Sequence, residues 1–143
     1  MIVPDANLLI YAYDNTAPAH SRARAWWESA LSGHEPVGIP WIVVLAFVRL
    51  MTHPTLSDNP MTAGQARQCV EEWLACEHVR LLSPETTTFA RFFDLLAAAG
   101  TAGNLCTDAL IAALAEEHGG NVYSNDADFS RFPGIAWKNP LRP

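Results

Sequence analysis

Residues 1–13, MIVPDANLLIYAY, join a short apolar run to an apolar helix through one acid, Asp5. The run predicts a buried strand that ends at Asp5, and residues 7–13 predict a short helix. Ligands of open α/β sheets bind beyond the carboxyl ends of the strands, which is where Asp5 would lie. Asp is also a preferred helix N-cap, so both interpretations of Asp5 stay open.

Short apolar runs continue to alternate with helical patterns along the chain. Further strands are predicted at residues 37–39, 79–82 and 122–124 and around residues 135–137. Further helices are predicted at residues 18–31, 41–51, 62–76, 83–99 and 107–118, with a helical turn at 129–132. Strands that alternate with helices predict an α/β fold with a mainly parallel central sheet.

Two helix starts carry capping signals. Thr62 and Gln65 have the spacing of a capping box, which predicts a helix that opens at Thr62. Ser83, Pro84 and Glu85 read as an N-cap, a proline at the first helical position and an early acid.

Bulk composition limits the class of protein. A chain of 143 residues that is half hydrophobic predicts a single domain over residues 1–143 with its own core. No apolar run approaches the roughly 20 residues of a membrane span, and residues 1–5 show no basic start of a signal peptide. The three cysteines lack a CxxC spacing, which favours a reducing cytoplasm.

The charge balance argues against broad non-specific binding of nucleic acid. The net charge is −6, and a cluster of metal-loading acids would contribute much of it. Eight of the nine basic residues are Arg, which pairs well with phosphate. A local nucleic-acid site is therefore still possible.

Asp108 lies in the first turn of an otherwise apolar helix and shares a face with Ile111, Ala112 and Ala115. A buried carboxylate needs a partner, and no Lys or Arg lies within ten residues. A metal ion is the simplest partner. The alternative is a first-turn acid favoured by the helix dipole.

Asp126 and Asp128 follow the predicted strand at residues 122–124. Taken alone, this segment is better explained by an ordinary turn rich in Asn and Asp. Together with Asp5 and Asp108, however, it predicts one acidic site where strand ends meet helix starts. Oxygen ligands of this kind suit magnesium or manganese, and carboxylates are expected in two-metal phosphodiester chemistry.

These motifs resemble the PIN-domain ribonucleases, and within them the VapC-type toxins of toxin–antitoxin pairs. The matching stretches are residues 2–9 (IVPDANLL), 39–41 (IPW), 47–49 (FVR), 52–54 (THP), 107–115 (TDALIAALA), 124–129 (SNDADF) and 137–141 (WKNPL). The resemblance implies a three-layer α/β/α sandwich, magnesium-dependent cleavage of RNA with manganese as a substitute, and neutralisation by a small VapB-like antitoxin.

The proposed roles differ among the site residues. Asp5 and Asp108 would be the core metal ligands, Asp126 would complete the site, and Asp128 would support it. Hydrogen bonds that orient carboxylates or phosphate are assigned to Asn7, Thr107 and Ser124. Arg49 either contacts phosphate or pairs with one of the acids.

One departure from the family pattern concerns the metal. Many PIN domains carry a glutamate three residues before the arginine that matches Arg49, and here that position is Ala46. The loss weakens one metal position unless Asp128 compensates, so the number of metal ions stays open.

Two alternative functions remain. The first is a magnesium phosphohydrolase with an aspartyl nucleophile. That chemistry expects a second acid two residues after Asp5, where this chain has Asn7. It also expects a lysine that supports the site, and Lys138 is the only lysine in the chain. A catalytically weak PIN domain that binds RNA or protein is the other alternative, suggested by Ala46.

The expected partners follow from the apolar surface and the resemblance. Large apolar residues on the helices, some of which we expect to be exposed, predict a homodimer; they are Trp26, Trp27, Phe47, Phe92 and Phe93. An antitoxin helix would pack in an apolar groove, with an arginine that reaches Asp5 and Asp108. The expected substrate is a single-stranded region of transfer RNA or messenger RNA.

Overall fold

The computed structural model describes residues 1–100 and 103–142. Its sheet has five strands: β1 (Ile2–Pro4), β2 (Val37–Pro40), β3 (Val79–Leu82), β4 (Asn121–Tyr123) and β5 (Trp137–Lys138). Their order is β3-β2-β1-β4-β5, and every neighbouring pair is parallel. The predicted parallel α/β fold is confirmed.

Six helices flank this sheet: α1 (Ala6–Tyr13), α2 (His20–Ser32), α3 (Trp41–Thr52), α4 (Ala63–Leu74), α5 (Thr86–Ala99) and α6 (Cys106–Glu117). Helix α1 packs on α2 and α3, and α3 packs on α4, whereas α5 packs on α6. The chain steps outward from β1 to β2 and β3 and then returns to β4 on the other side of β1. Because parallel crossovers are right-handed, this reversal puts the two helix groups on opposite faces.

The core lies on both faces of the sheet. Val3, Ile39 and Val122 are fully buried in the three central strands. Six of the twelve residues of α6 are buried, which is typical of a helix enclosed on most sides. On the other face, the indole of Trp73 donates a hydrogen bond of 2.8 Å to the Tyr13 hydroxyl and packs on Phe47.

The helix starts confirm one capping prediction and correct the other. The capping box is present, with bonds from Gln65 N to Thr62 Oγ1 (3.1 Å) and from Thr62 N to Gln65 Oε1 (2.9 Å). Ser83 is not an N-cap, because α5 begins at Thr86 with Glu85 as its cap. Thr88 explains the shift: its hydroxyl accepts from Glu85 N and donates to Glu117 of α6, which fixes the first turn.

Smaller boundary differences lie at element ends. Helix α2 begins at His20 rather than Pro18, α4 ends at Leu74, and the last strand is residues 137–138. Among the helices of residues 1–100 and 103–142, none combines the length and the hydropathy that a membrane crossing requires. The extent of the domain over residues 1–143 stays a prediction.

Candidate active site

The candidate site lies where the strand order reverses, between β1 and β4. Asp5 follows β1 directly, and Ser124 follows β4. The two strands pair from Ile2 with Asn121 to Pro4 with Tyr123, so their carboxyl ends are level. In an open α/β sheet this switch point forms a crevice that binds ligands.

Asp5 is almost buried, with 9 % of its surface exposed. One carboxylate oxygen accepts from Ala6 N at 2.7 Å, and the other accepts from the Ser124 hydroxyl at 2.7 Å. Burial raises the pKa of Asp5, and the charge of Asp126 raises it further, although both hydrogen bonds act in the opposite direction. Asp5 is therefore the cap of α1, and its charge acts on Asp108, but its oxygens are not among the carboxylate oxygens that converge most closely.

Asp108 is half-buried in the first turn of α6. Burial raises the pKa of Asp108 to about 7, with added contributions from the charges of Asp5, Asp126 and Asp128. Within the described residues, no salt bridge neutralises this carboxylate. Three surrounding negative charges and no cation make the site costly to ionise and attractive to a metal ion.

The carboxylates of Asp108, Asp126 and Asp128 converge. One carboxylate oxygen from each lies within 4.8 Å of the others. Asp126 also accepts from Asp128 N at 2.9 Å and caps the short 3-10 helix Ala127–Arg131. The turn interpretation of this segment is therefore correct, and the same turn brings both acids close to Asp108.

Ser124 is the centre of the hydrogen bonds that hold the site together, and it is fully buried. Its hydroxyl donates to Asp5 and accepts from Asp126 N (2.9 Å) and from Asn7 Nδ2 (3.2 Å). One side chain thus fixes the distance between the acid after β1 and the acid after β4. Asn7 also accepts from Asn125 N at 3.4 Å.

Two predicted site residues make no such contacts. Thr107 is exposed beside Asp108, and Arg49 is exposed on α3. In the part of the chain that the structure describes, no side-chain hydrogen bond involves Thr107 and no salt bridge involves Arg49. Their contacts with phosphate stay predictions.

Three residues near the site had no predicted role. Asn125 accepts from Asn139 Nδ2 at 3.1 Å, and the indole of Trp137 donates to Ser124 O at 3.1 Å. The sequence carried one signal for Trp137 and Asn139: both lie in residues 137–141, a stretch that matches the family.

Comparison with known proteins agrees with the geometry. The PIN domain family matches residues 2–135. Ribonuclease VapC33 of Mycobacterium tuberculosis is 37 % identical over 142 residues, covering 99 % of each chain. Ribonuclease VapC37 of the same species is 39 % identical over 140 residues, covering 98 % of this chain and 97 % of the relative.

A solved toxin–antitoxin complex from Klebsiella pneumoniae has the same fold, with a TM-score of 0.65, 17 % identity and 98 % coverage of both chains. The family match spans nearly the whole sequence and includes all four acids. The chain belongs to the PIN-domain family and, within it, to the VapC ribonucleases.

Proposed function

We propose that this protein is a divalent-cation-dependent endoribonuclease that acts as the toxin of a toxin–antitoxin pair. The observation that carries the proposal is the convergence of Asp108, Asp126 and Asp128 beside Asp5 at the sheet switch point. Full-length relatives named as ribonucleases support the reaction. Its RNA substrate and three free cysteines favour a cytoplasmic location.

The donor set fits Mg²⁺, with Mn²⁺ as a substitute. All the converging ligand atoms are carboxylate oxygens, which hard cations prefer, and neither His nor Cys joins the group within the described residues. When bound, the cation would neutralise the cluster and supply Lewis-acid chemistry at the phosphodiester. Asp5, Asp108 and Asp126 would hold it.

The protein's own groups prepare this site. The Ser124 hydroxyl orients Asp5, and the backbone N–H of Asp128 orients Asp126 through one of its two oxygens. Asp128 lies close enough to Asp108 and Asp126 to compensate for the alanine at position 46. We propose this role for Asp128 and assign phosphate binding to Arg49, which is exposed.

The substrate would be a single-stranded region of transfer RNA or messenger RNA. A net charge of −6 does not favour a long duplex footprint, whereas unpaired bases can be presented to a compact acidic site loaded with metal.

Cleavage by the purified chain tests the proposal. We expect single-stranded RNA to be cut in Mg²⁺ or Mn²⁺, to survive in EDTA, and to be cut again when excess Mn²⁺ is added. The cation should also raise the melting temperature without RNA, because it binds the folded state. If the metal raises the melting temperature but RNA stays intact, the binding-module alternative is correct.

A groove suits the proposed antitoxin. Its volume is about 670 Å³, and it lies between the end of α1, the connection from α3 to α4, and α4. Apolar side chains such as Ile10 and Met61 line it together with Asp14, Asp58 and Glu72, and no Lys or Arg is among its described lining residues. This chemistry fits a basic amphipathic helix.

The groove and the acidic site lie at opposite ends of α1, whose eight residues span about 12 Å. An antitoxin that runs along α1 could therefore place an arginine on Asp5 and Asp108, where a bidentate ion pair would replace the cation.

A different surface suits a homodimer. Trp41 and Leu45 of α3 and Phe89 and Phe93 of α5 are 47–66 % exposed. Helices α3 and α5 both start at the carboxyl ends of paired strands, Pro40 with Leu82, although they belong to the helix groups on opposite faces of the sheet. Exposed large apolar side chains are typical of interfaces, and we propose that a second copy covers those of α3.

Leu56 and Leu45 form a matched pair for separating these surfaces. Leu56 lines the groove and is 61 % exposed, whereas Leu45 lies on α3 outside the groove and is 63 % exposed. We expect Leu56→Arg to weaken antitoxin binding at least tenfold with the dimer intact. Leu45→Arg should make the chain monomeric in light scattering with antitoxin binding retained. The opposite pattern would exchange the two assignments.

A further inference from the structure

The segment that follows β4 is held by the C-terminal tail, residues 137–142. The backbone of Lys138 accepts from Ser124 N at 3.0 Å, and the indole of Trp137 donates to Ser124 O at 3.1 Å. One residue further along, Asn139 Nδ2 donates to Asn125 Oδ1 at 3.1 Å. The tail therefore binds both residues that precede Asp126.

Asn139 is itself held in a fixed orientation. Its Oδ1 accepts from Leu141 N at 3.0 Å, and this backbone donor dictates that Nδ2 points to Asn125. Leu141 is only 5 % exposed, and its carbonyl accepts from the guanidinium of Arg22 on α2 at 2.8 Å. The tail is thus anchored on both sides of Pro140, and the Asn139 amide has little freedom to turn.

From Asn125 the hydrogen bonds continue to the core ligand. Asn125 N donates to Asn7 Oδ1, Asn7 Nδ2 donates to the Ser124 hydroxyl, and that hydroxyl donates to Asp5 at 2.7 Å. The same hydroxyl accepts from Asp126 N at 2.9 Å. A shift of Asn125 would therefore displace carboxylates on both strands.

We propose that Asn139 is a positioning residue of the cation site: it holds Asn125, and through it the spacing of Asp5 and Asp126. This inference rests on the proposed metal-dependent function. The acids repel one another and no basic side chain pairs with them within the described residues, so their spacing depends on such hydrogen bonds. Hydrogen bonds one step behind the ligands typically alter metal affinity 10–100-fold.

Three variants test the role. Asn139→Ala removes the bond from the tail, and Asn125→Ala removes it from the other side. In Asn139→Asp the carboxylate still accepts from Leu141 N, and the Asn125 amide can turn to donate to it. Asn121→Ala is the control, because Asn121 lies at the amino end of β4, away from the site, and its side chain makes no hydrogen bond within the described residues.

Mn²⁺ binding is measured without RNA, from the free Mn²⁺ signal in electron paramagnetic resonance, and cleavage is measured across a Mn²⁺ titration. Asn139→Ala and Asn125→Ala should each raise the dissociation constant of Mn²⁺ and the half-maximal Mn²⁺ concentration for cleavage at least tenfold. Saturating Mn²⁺ should recover most of the cleavage. Asn139→Asp should regain most of the affinity, and Asn121→Ala should match wild type.

The two levels of failure are distinct. If the wild-type chain neither binds Mn²⁺ nor cleaves RNA, the proposed function fails and the positioning role fails with it. If the wild-type chain does both, and Asn139→Ala binds Mn²⁺ as the Asn121→Ala control does, the positioning role alone is overturned. Should Asn139→Ala fail to fold, Asn125→Ala decides by the same criterion.

Discussion

Asp5→Asn is expected to reduce RNA cleavage at least a hundredfold, roughly 3 kcal/mol of transition-state stabilisation, while the fold is kept. Asn keeps the size of Asp, and its single oxygen keeps the bond from Ala6 N, whereas its amide NH2 takes the place of the oxygen that accepts from the Ser124 hydroxyl. It loses the negative charge that a cation requires. Because burial and, to a smaller extent, the charge of Asp126 raise the pKa of Asp5, the metal-free variant should be at least as stable as wild type.

Asp94→Asn is the matched control for Asp5→Asn. Asp94 is exposed on α5, so this substitution removes one negative charge away from the site. Cleavage by Asp94→Asn should stay within about twofold of wild type. If Asp5→Asn unfolds the chain, or if its activity stays within a few fold of wild type, Asp5 is a structural cap and not a ligand.

Asp108→Asn is expected to abolish cleavage and to stabilise the metal-free protein at pH 8. The pKa of Asp108 is about 7 in the folded chain, against an ordinary value of 3.8. Between these values the folded state binds more protons than the unfolded state, so stability falls as pH rises from about 4 to about 7. Above pH 7 the folded chain carries the full free-energy cost of an ionised Asp108, and the substitution to Asn removes that cost.

The size of this effect is bounded. The rise in pKa sets an upper limit of roughly 4 kcal/mol, and Asp108 is only half-buried, so about 1–3 kcal/mol is expected. That corresponds to an increase of about 3–8 °C in melting temperature for a chain of this size. Differential scanning calorimetry in EDTA at pH 5 and pH 8 measures it. A variant that is equally stabilised at both pH values would contradict the raised pKa.

The sequence predicted the acidic site because parallel strands end at the same edge of a sheet. Asp5 and Asp126 each follow an apolar run, and this was sufficient to place them together. The site residues that were missed bind across the fold. Asn139 reaches Asn125 through an amide pair 14 residues apart, and no periodic pattern marks such a pair.

A contact between distant parts of the chain also explains why the predicted start of α5 was wrong. Ser83 and Pro84 carry a local signal for a cap, but Thr88 binds Glu117 on α6, and this tertiary contact fixes the helix start two residues later. Local preference at a helix end is worth about 1 kcal/mol, so a tertiary contact can override it.

Asp5 shows why a cap and a ligand cannot be told apart from the sequence alone. Its first oxygen accepts from the first N–H of α1 and its second accepts from Ser124, so the cap is confirmed and the metal-ligand role stays a prediction. The Asp126 side chain also caps a helical turn while it lies close to Asp108 and Asp128.

RNA cleavage by wild type and Asp5→Asn, purified side by side and titrated with Mn²⁺ from a chelated start, tests the central claim most directly. If Asp5, Asp108 and Asp126 hold the catalytic cation, wild-type cleavage should rise from none to saturation, and Asp5→Asn should stay at least a hundredfold lower throughout. Cleavage that persists in EDTA, or that is equal in the two proteins at every Mn²⁺ concentration, would contradict it.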